Sequence, residues 1–255
     1  MQPAAHCLLA IIAASCLATG AAQPGPTNAA KPPASGAARG PALRALQVPG
    51  FQPALFFIPA GLEPRPLVVA AHGAGGSADW ECDYWRRLTR ERAFVLCLQG
   101  TPLGGSYSGY YYRDHRALNR EFVAAERAAR SAEPRIIEGS GVYAGFSQGA
   151  SMGAPLLAEH AAAFPYAVLI EGFSTWNVPG GRRFSRAGGR RVLLACGSKE
   201  CAAVGKTSEH WLTVAGVSAK LEYAAGAGHT PAGAVMDRVA SALPWLLDGD
   251  AHWQE

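Results

Sequence analysis

The chain has 255 residues, a formal net charge of +4 at pH 7, and charged side chains at only 16% of its positions. This length suits one α/β domain of ordinary size with some additional sequence. The small positive excess argues against a protein that binds nucleic acid or an anionic surface through its charge.

The first 22 residues have the composition of an export signal. Residues 8–18 form an apolar run that is too short to cross a bilayer as a mature helix, and residues 20–22 are small. We therefore predict a signal peptide over residues 1–22 and export to the periplasm or the medium. An alternative interpretation takes Ala13-Ala14-Ser15-Cys16 as a lipoprotein signal, in which case a lipidated Cys16 would anchor the chain to a membrane.

Residues 23–45 are rich in Pro, Ala and Gly and contain very little apolar surface to bury. This composition predicts a disordered linker. The folded domain is accordingly predicted to cover residues 46–255.

Beyond the linker, short apolar runs alternate with longer helix-compatible segments. The predicted strands are residues 54–58, 67–71, 94–98, 142–144, 166–171, 191–196 and 220–224. The predicted helices are residues 79–92, 119–133, 148–162, 205–217 and 231–247. This alternation predicts a three-layer α/β fold, with a mostly parallel sheet and helices on both faces. In such a fold the functional site lies at the carboxyl ends of the strands.

Four cysteines remain once the predicted signal peptide is removed, namely Cys82, Cys97, Cys196 and Cys201. An even number of cysteines after an export signal indicates two disulfides, for which three pairings are possible. We favour Cys82–Cys97 and Cys196–Cys201, because each pair is close in sequence. No Cys-x-x-Cys or nearby His set points to a metal site.

The sequence Gly145-Phe146-Ser147-Gln148-Gly149 follows a predicted strand and begins a predicted helix. This is a G-x-S-x-G motif in a strand–turn–helix setting, which presents the serine hydroxyl as a nucleophile. Ser147 is therefore the candidate nucleophile; the alternative is a buried serine at an ordinary turn.

A serine nucleophile requires a base, and the base requires an acid that orients it. His229 follows the last predicted strand in Gly-Ala-Gly-His-Thr-Pro and is the candidate base, with Thr230 and Pro231 predicted to begin the next helix. No aspartate lies between Ser147 and His229. We favour Glu200 as the acid, because a bridge between the cysteines on either side would fix its loop, and keep Glu171 as the alternative.

The sequence His72-Gly73-Ala74-Gly75-Gly76 directly follows a buried strand. Its glycine-rich turn predicts one backbone donor of an oxyanion hole, the N–H of Ala74, with the N–H of Gln148 as the second. A phosphate-binding loop is the competing interpretation, but neither of its glycine patterns is present. We interpret His72 as structural.

Aromatic side chains are predicted to line the substrate side. Tyr110, Tyr111 and Trp176 follow strands and are candidates for stacking on the substrate, with packing onto the domain as the equal alternative. Only a short Gly/Pro/Arg-rich connection separates residues 173 and 190, so no large cap domain can cover the site.

In their order, the motifs H-G-A-G-G, G-F-S-Q-G, G-S-K-E and G-A-G-H-T resemble the α/β-hydrolase superfamily. G-F-S-Q-G is similar to the phospholipase/carboxylesterase branch, and the exported chain also resembles secreted polyester depolymerases and feruloyl esterases. That branch has G-x-x-D where this chain has Gly197-Ser198-Lys199-Glu200.

The resemblance implies a serine esterase that acts on small or polymeric esters through an acyl-enzyme, without a metal or organic cofactor. A serine peptidase on the same fold and a non-catalytic binding protein remain as alternatives. The sequence does not indicate an oligomeric state.

Overall fold

The computed structural model describes residues 41–172 and 174–254. The predicted signal peptide, with Cys16, and most of the predicted linker lie outside the described residues. In chain order the strands are β1 (Ala42–Leu46), β2 (Ala54–Ile58), β3 (Leu67–Ala71), β4 (Phe94–Leu98), β5 (Thr101–Pro102), β6 (Tyr110–Tyr111), β7 (Val142–Phe146), β8 (Tyr166–Ile170), β9 (Arg191–Cys196) and β10 (Ser218–Tyr223). The helices are α1 (Ala78–Leu88), α2 (His115–Ala132), α3 (Gln148–His160), α4 (Val178–Arg186), α5 (Lys199–Val214) and α6 (Ala234–Leu247).

Eight of the strands form one sheet in the order β1-β2-β4-β3-β7-β8-β9-β10. The pairs from β4 to β10 are parallel, whereas β1–β2 and β2–β4 are antiparallel. The central strands β3, β4 and β8 are buried along their whole length. Their continuous apolar sequences fit this position, because helices cover both faces of a parallel sheet.

Two apolar clusters separate the sheet from its helices, one on each face. Residues of α1 and α6 pack against one face, and residues of α2, α3, α4 and α5 pack against the other. The predicted three-layer fold with a mostly parallel sheet is therefore confirmed. None of the helices in the described ranges is long and apolar enough to cross a membrane.

The structure corrects several predicted boundaries. Residues 42–45, predicted as linker, belong to β1 and pair with β2, so the fold begins before Leu46. Strand β1 gives no signal in the sequence, because its residues are largely exposed and form no buried pattern. Helix α6 is capped by Gly233, so Thr230 and Pro231 lie in the preceding loop.

The structure contains both favoured disulfides. Cys82–Cys97 joins α1 to β4, and Cys196–Cys201 joins the end of β9 to the first turn of α5. All four cysteines are buried. The predicted cysteine pairing is therefore confirmed.

The two disulfides are expected to contribute unequally to stability. Disulfide Cys82–Cys97 has a sequence separation of 15 and Cys196–Cys201 one of 5, and a longer closed loop restricts the unfolded chain more. We expect the double variant C82A/C97A to lose roughly 3 kcal/mol of unfolding free energy and C196A/C201A roughly 2 kcal/mol. Urea unfolding followed by tryptophan fluorescence measures both; a larger loss for C196A/C201A would contradict this ranking.

Candidate active site

Ser147 lies at the sharp turn between β7 and α3. Its backbone has φ 50° and ψ −106°, a strained conformation for a residue with a Cβ. The turn is held on one side by the Ser147 N–H, which donates to the Ile170 carbonyl at 2.8 Å. A Cβ at Gly149 would overlap the Ala71 carbonyl of β3, so only glycine lets α3 start this close to the sheet.

His229 lies on the loop between β10 and α6, as predicted for the base. Its Nε2 is 2.9 Å from the Ser147 Oγ, and its side chain is 43% exposed. The structure therefore brings the candidate nucleophile and the candidate base into hydrogen-bond contact.

The acid beside His229 is Glu171, not Glu200. Glu171 directly follows β8 with φ 51°, is fully buried, and places its Oε2 3.0 Å from His229 Nδ1. Since a carboxylate only accepts, Nδ1 carries the imidazole proton and Nε2 is left to accept from Ser147.

The preference for Glu200 was wrong because α5 begins earlier than predicted. The helix starts at Lys199 with Ser198 as its N-cap, so Glu200 lies in the first turn and is exposed to solvent. The Cys196–Cys201 bridge does fix this region, but it does not turn Glu200 toward the site.

The carboxylate of Glu171 is surrounded by hydrogen-bond donors. Its Oε1 accepts from the N–H groups of Gly197 and Ser198, the latter at 3.0 Å. Its Oε2 accepts from the Ser198 hydroxyl at 2.7 Å, in addition to His229. This arrangement offsets the cost of burying a charged group. Ser198 was not among the predicted site residues; its place just after β9 was the available signal.

The glycine-rich turn after β3 packs directly against the nucleophile. A Cβ at Gly73 would lie 3.0 Å from the Cβ of Ser147, and the Gly149 N–H donates to the His72 carbonyl at 3.2 Å. Among the described residues, the N–H groups of Ala74 and Gln148 donate to no protein acceptor. Ala74 directly follows Gly73 and Gln148 directly follows Ser147, so the two predicted oxyanion donors belong to the two segments that meet at Ser147.

His72 supports this turn from inside the protein. It is fully buried, and its Nδ1 and Nε2 contact the carbonyls of Gly73 and Gln99 at 2.7 and 2.9 Å. Burial lowers the pKa of His72 below its ordinary value. A fully buried imidazole held between two backbone carbonyls agrees with the structural role predicted from the sequence.

The two-stranded hairpin β5–β6 connects the glycine-rich turn after β3 to Gln148 through hydrogen bonds. The Gly75 N–H donates to the Tyr110 carbonyl and the Tyr110 N–H to the Gly76 carbonyl, each at 2.8 Å. The Tyr112 N–H donates to the side-chain Oε1 of Gln148 at 2.7 Å. Tyr110 and Tyr111, both half-buried, therefore lie beside the predicted oxyanion hole.

The contact between this hairpin and the glycine-rich turn depends on Gly109. Its φ is 97°, and a Cβ there would overlap the Gly75 carbonyl oxygen. We expect Gly109→Ala to move the turn and to lower kcat for a reaction at this site at least tenfold. A small displacement of groups that contact the substrate lowers the reaction rate strongly. Gly104→Ala is the matched control: φ at Gly104 is 75°, but nothing lies within 4 Å of the added Cβ. Steady-state kinetics of both variants test this; equal kcat values would contradict it.

Trp176 does not line the site, contrary to the prediction. It is 4% exposed and packs its ring on Phe184 of α4, with ring centroids 5.6 Å apart. An aromatic neighbour of His229 is instead Phe146, whose ring centroid is 5.3 Å from the imidazole. Trp80 in turn contacts Phe146 edge-on. Phe146 precedes the nucleophile in the motif, and this adjacency was the signal that could have identified it.

One group of side chains in the described ranges has the spacing of metal ligands: Glu171, Cys196 and Cys201. The two cysteine sulfurs are bonded to each other, which leaves the carboxylate as the only free donor. This group does not fit a metal ion.

Comparisons with known proteins find no matching family model and no matching curated protein. Solved structures do match. Esterase PE8 has a TM-score of 0.60 at 18% identity, covering 80% of this chain and 100% of its own. The carboxylesterase EstE1 from a metagenomic library has a TM-score of 0.60 at 16% identity, covering 86% and 91%.

A Bacillus cereus carboxylesterase has a TM-score of 0.57 at 20% identity, covering 76% of this chain and 92% of its own. At these identities the likeness shows the fold. The chain therefore has the fold of α/β-hydrolases, in agreement with the resemblance seen in its sequence motifs.

Proposed function

We propose that this chain is a serine hydrolase that cleaves carboxylic esters through an acyl-enzyme on Ser147. The single observation that carries the proposal is the hydrogen-bonded series Ser147–His229–Glu171, at 2.9 and 3.0 Å. The fold shared with esterases and carboxylesterases supports the same reaction class.

The geometry suits the two half-reactions of acyl transfer. The Oγ of Ser147 attacks the ester carbonyl while His229 Nε2 takes its proton. The N–H groups of Ala74 and Gln148 stabilise the resulting oxyanion. The imidazolium then protonates the leaving alcohol, and Glu171 stabilises its charge. Water, activated by the same imidazole, hydrolyses the acyl-enzyme and restores Ser147.

The substrate is proposed to be a small or polymeric ester. A side chain of the base that is 43% exposed supports an open site that bulky acyl groups can reach. Export is proposed as well, and two disulfides are compatible with an extracellular protein.

A fluorophosphonate probe and a substrate panel test the function. We expect the wild type to be labelled and to hydrolyse p-nitrophenyl esters, whereas Ser147→Ala loses labelling and roughly 10⁵-fold or more of kcat. The control is Ser218→Ala, a change at an exposed serine outside the site. We expect this variant to retain both the labelling and the kcat of the wild type. Labelling that survives in Ser147→Ala would refute the assignment. Cleavage of peptide anilides but not esters would instead identify a peptidase.

A further inference from the structure

We propose that Ser198 is a positioning residue for the hydrolytic reaction, and that its hydroxyl holds the carboxylate of Glu171 in line with His229. This inference rests on the proposed function of the same site. Ser198 is separate from the nucleophile, the base, the acid and the oxyanion donors, and it would act through Glu171 alone.

The two oxygens of Glu171 have different neighbours. Oε1 accepts hydrogen bonds from the backbone N–H groups of Gly197 and Ser198. These two bonds hold this oxygen against the loop after β9. Oε2 is the oxygen that faces His229, and its second contact is the Ser198 Oγ at 2.7 Å. The hydroxyl therefore acts on the oxygen that orients the base.

The direction of the Ser198 hydroxyl is determined by its surroundings. A serine hydroxyl has one proton to donate, and its oxygen can accept as well. Ser198 Oγ accepts the N–H of Cys201 at 3.2 Å, so its proton is left for Glu171. The Cys196–Cys201 disulfide closes the same short segment and limits its movement.

Glu171 needs this support because its side chain is long and flexible. Its φ of 51° lies in the left-handed region, and it is the first residue after β8. A glutamate side chain has three rotatable bonds, whose freedom is costly to remove on folding. Four donors, two on each oxygen, select the one orientation that reaches His229.

Ser198 also caps α5, so a test must separate capping from positioning. Its φ of −88° and ψ of 151° suit threonine, alanine and glycine alike. Ser198→Thr keeps both the cap and the donor. Ser198→Gly removes the donor at a small cost in helix capping, whereas Ser198→Ala removes the donor at a larger cost in helix capping.

The experiment measures kcat and KM with p-nitrophenyl acetate, and the unfolding free energy in urea, for the full chain and the three variants. We expect kcat to fall about tenfold or more in Ser198→Gly and Ser198→Ala with KM within about twofold, and to stay within about threefold in Ser198→Thr. A Ser198→Gly variant with wild-type kcat, or kcat values that follow stability, would overturn the proposal.

A second readout needs no substrate. In the wild type His229 Nδ1–H donates a hydrogen bond to Glu171, and we expect this proton to give a downfield NMR resonance. We expect this resonance to persist in Ser198→Thr and to weaken or move upfield in Ser198→Gly. An unchanged resonance in Ser198→Gly would refute the positioning role. If the wild type shows this resonance but hydrolyses no ester, the proposed function is refuted. The NMR comparison of wild type and Ser198→Gly then decides by itself whether Ser198 orients Glu171.

Discussion

Replacing Glu171 with Gln is expected to lower kcat for ester hydrolysis roughly 10⁴-fold, the size of effect that follows when the triad acid of a serine protease becomes an amide. The N–H groups of Gly197 and Ser198 require an acceptor at the Oε1 position, so the amide oxygen stays there. The amide NH₂ then faces His229 Nδ1 and favours the tautomer that carries its proton on Nε2. Such an imidazole cannot accept the proton of Ser147.

The matched control is Glu200→Gln, which makes the same chemical change at the exposed glutamate that the sequence had favoured. We expect this variant to keep kcat within about twofold, because Glu200 lies in the first turn of α5 and not beside His229. Single-turnover kinetics of acylation with a p-nitrophenyl ester measure both variants. Full activity in Glu171→Gln combined with loss in Glu200→Gln would reverse the assignment.

Replacing Glu81 with Met is expected to stabilise the protein, and more strongly at alkaline than at acidic pH. Glu81 belongs to the first turn of α1, is 2% exposed, and neither of its carboxylate oxygens has a hydrogen-bond partner among the described residues. Burial raises the pKa of Glu81 from 4.5 to about 8, an effect that the nearby Trp85 side chain only partly offsets.

The sign of the pH dependence follows from the direction of this shift. The pKa is higher in the folded state, so the unfolded chain releases the proton first as the pH rises. The ionisation of Glu81 imposes no penalty below pH 4.5, lowers stability progressively between pH 4.5 and about 8, and imposes a constant penalty above that. The full penalty corresponds to roughly 5 kcal/mol.

Urea unfolding of the wild type and Glu81→Met at pH 5 and pH 9 measures the effect. We expect the stability difference between them to grow by roughly 4 kcal/mol over this range. Asp79→Asn, which removes an exposed carboxylate from the same helical turn, is the control. A difference that is equal at both pH values would show that Glu81 does not titrate in this range.

Several features of the fold and the candidate site follow from local patterns in the sequence. The buried strands, Ser147 and His229 were predictable because apolar runs and glycine spacing are local signals. Both disulfides were predictable from proximity in sequence. These features need no knowledge of how distant segments meet.

The choice of acid was not predictable in the same way. Glu171 and Glu200 both follow predicted strands, and only the start of α5 decides which of them faces His229. Helix starts are the least reliable feature of a sequence-based prediction, since capping residues also occur in loops. The prediction that Trp176 contacts the substrate was wrong for a related reason. Helix α4, which was not predicted, covers this side chain.

The strained turns at Ser147 and Glu171 end two neighbouring strands, β7 and β8, that are paired in parallel. The Ser147 N–H continues the hydrogen bonding onto Ile170, and the Glu171 N–H does the same onto Ala195 of β9. The backbones of Ser147 and Glu171 therefore belong to the sheet itself, and the distance between them is set by the spacing of its strands. Only His229 is carried on a loop. Local opening of the loop between β10 and α6 would therefore separate His229 from Ser147 and Glu171 while the sheet stays folded.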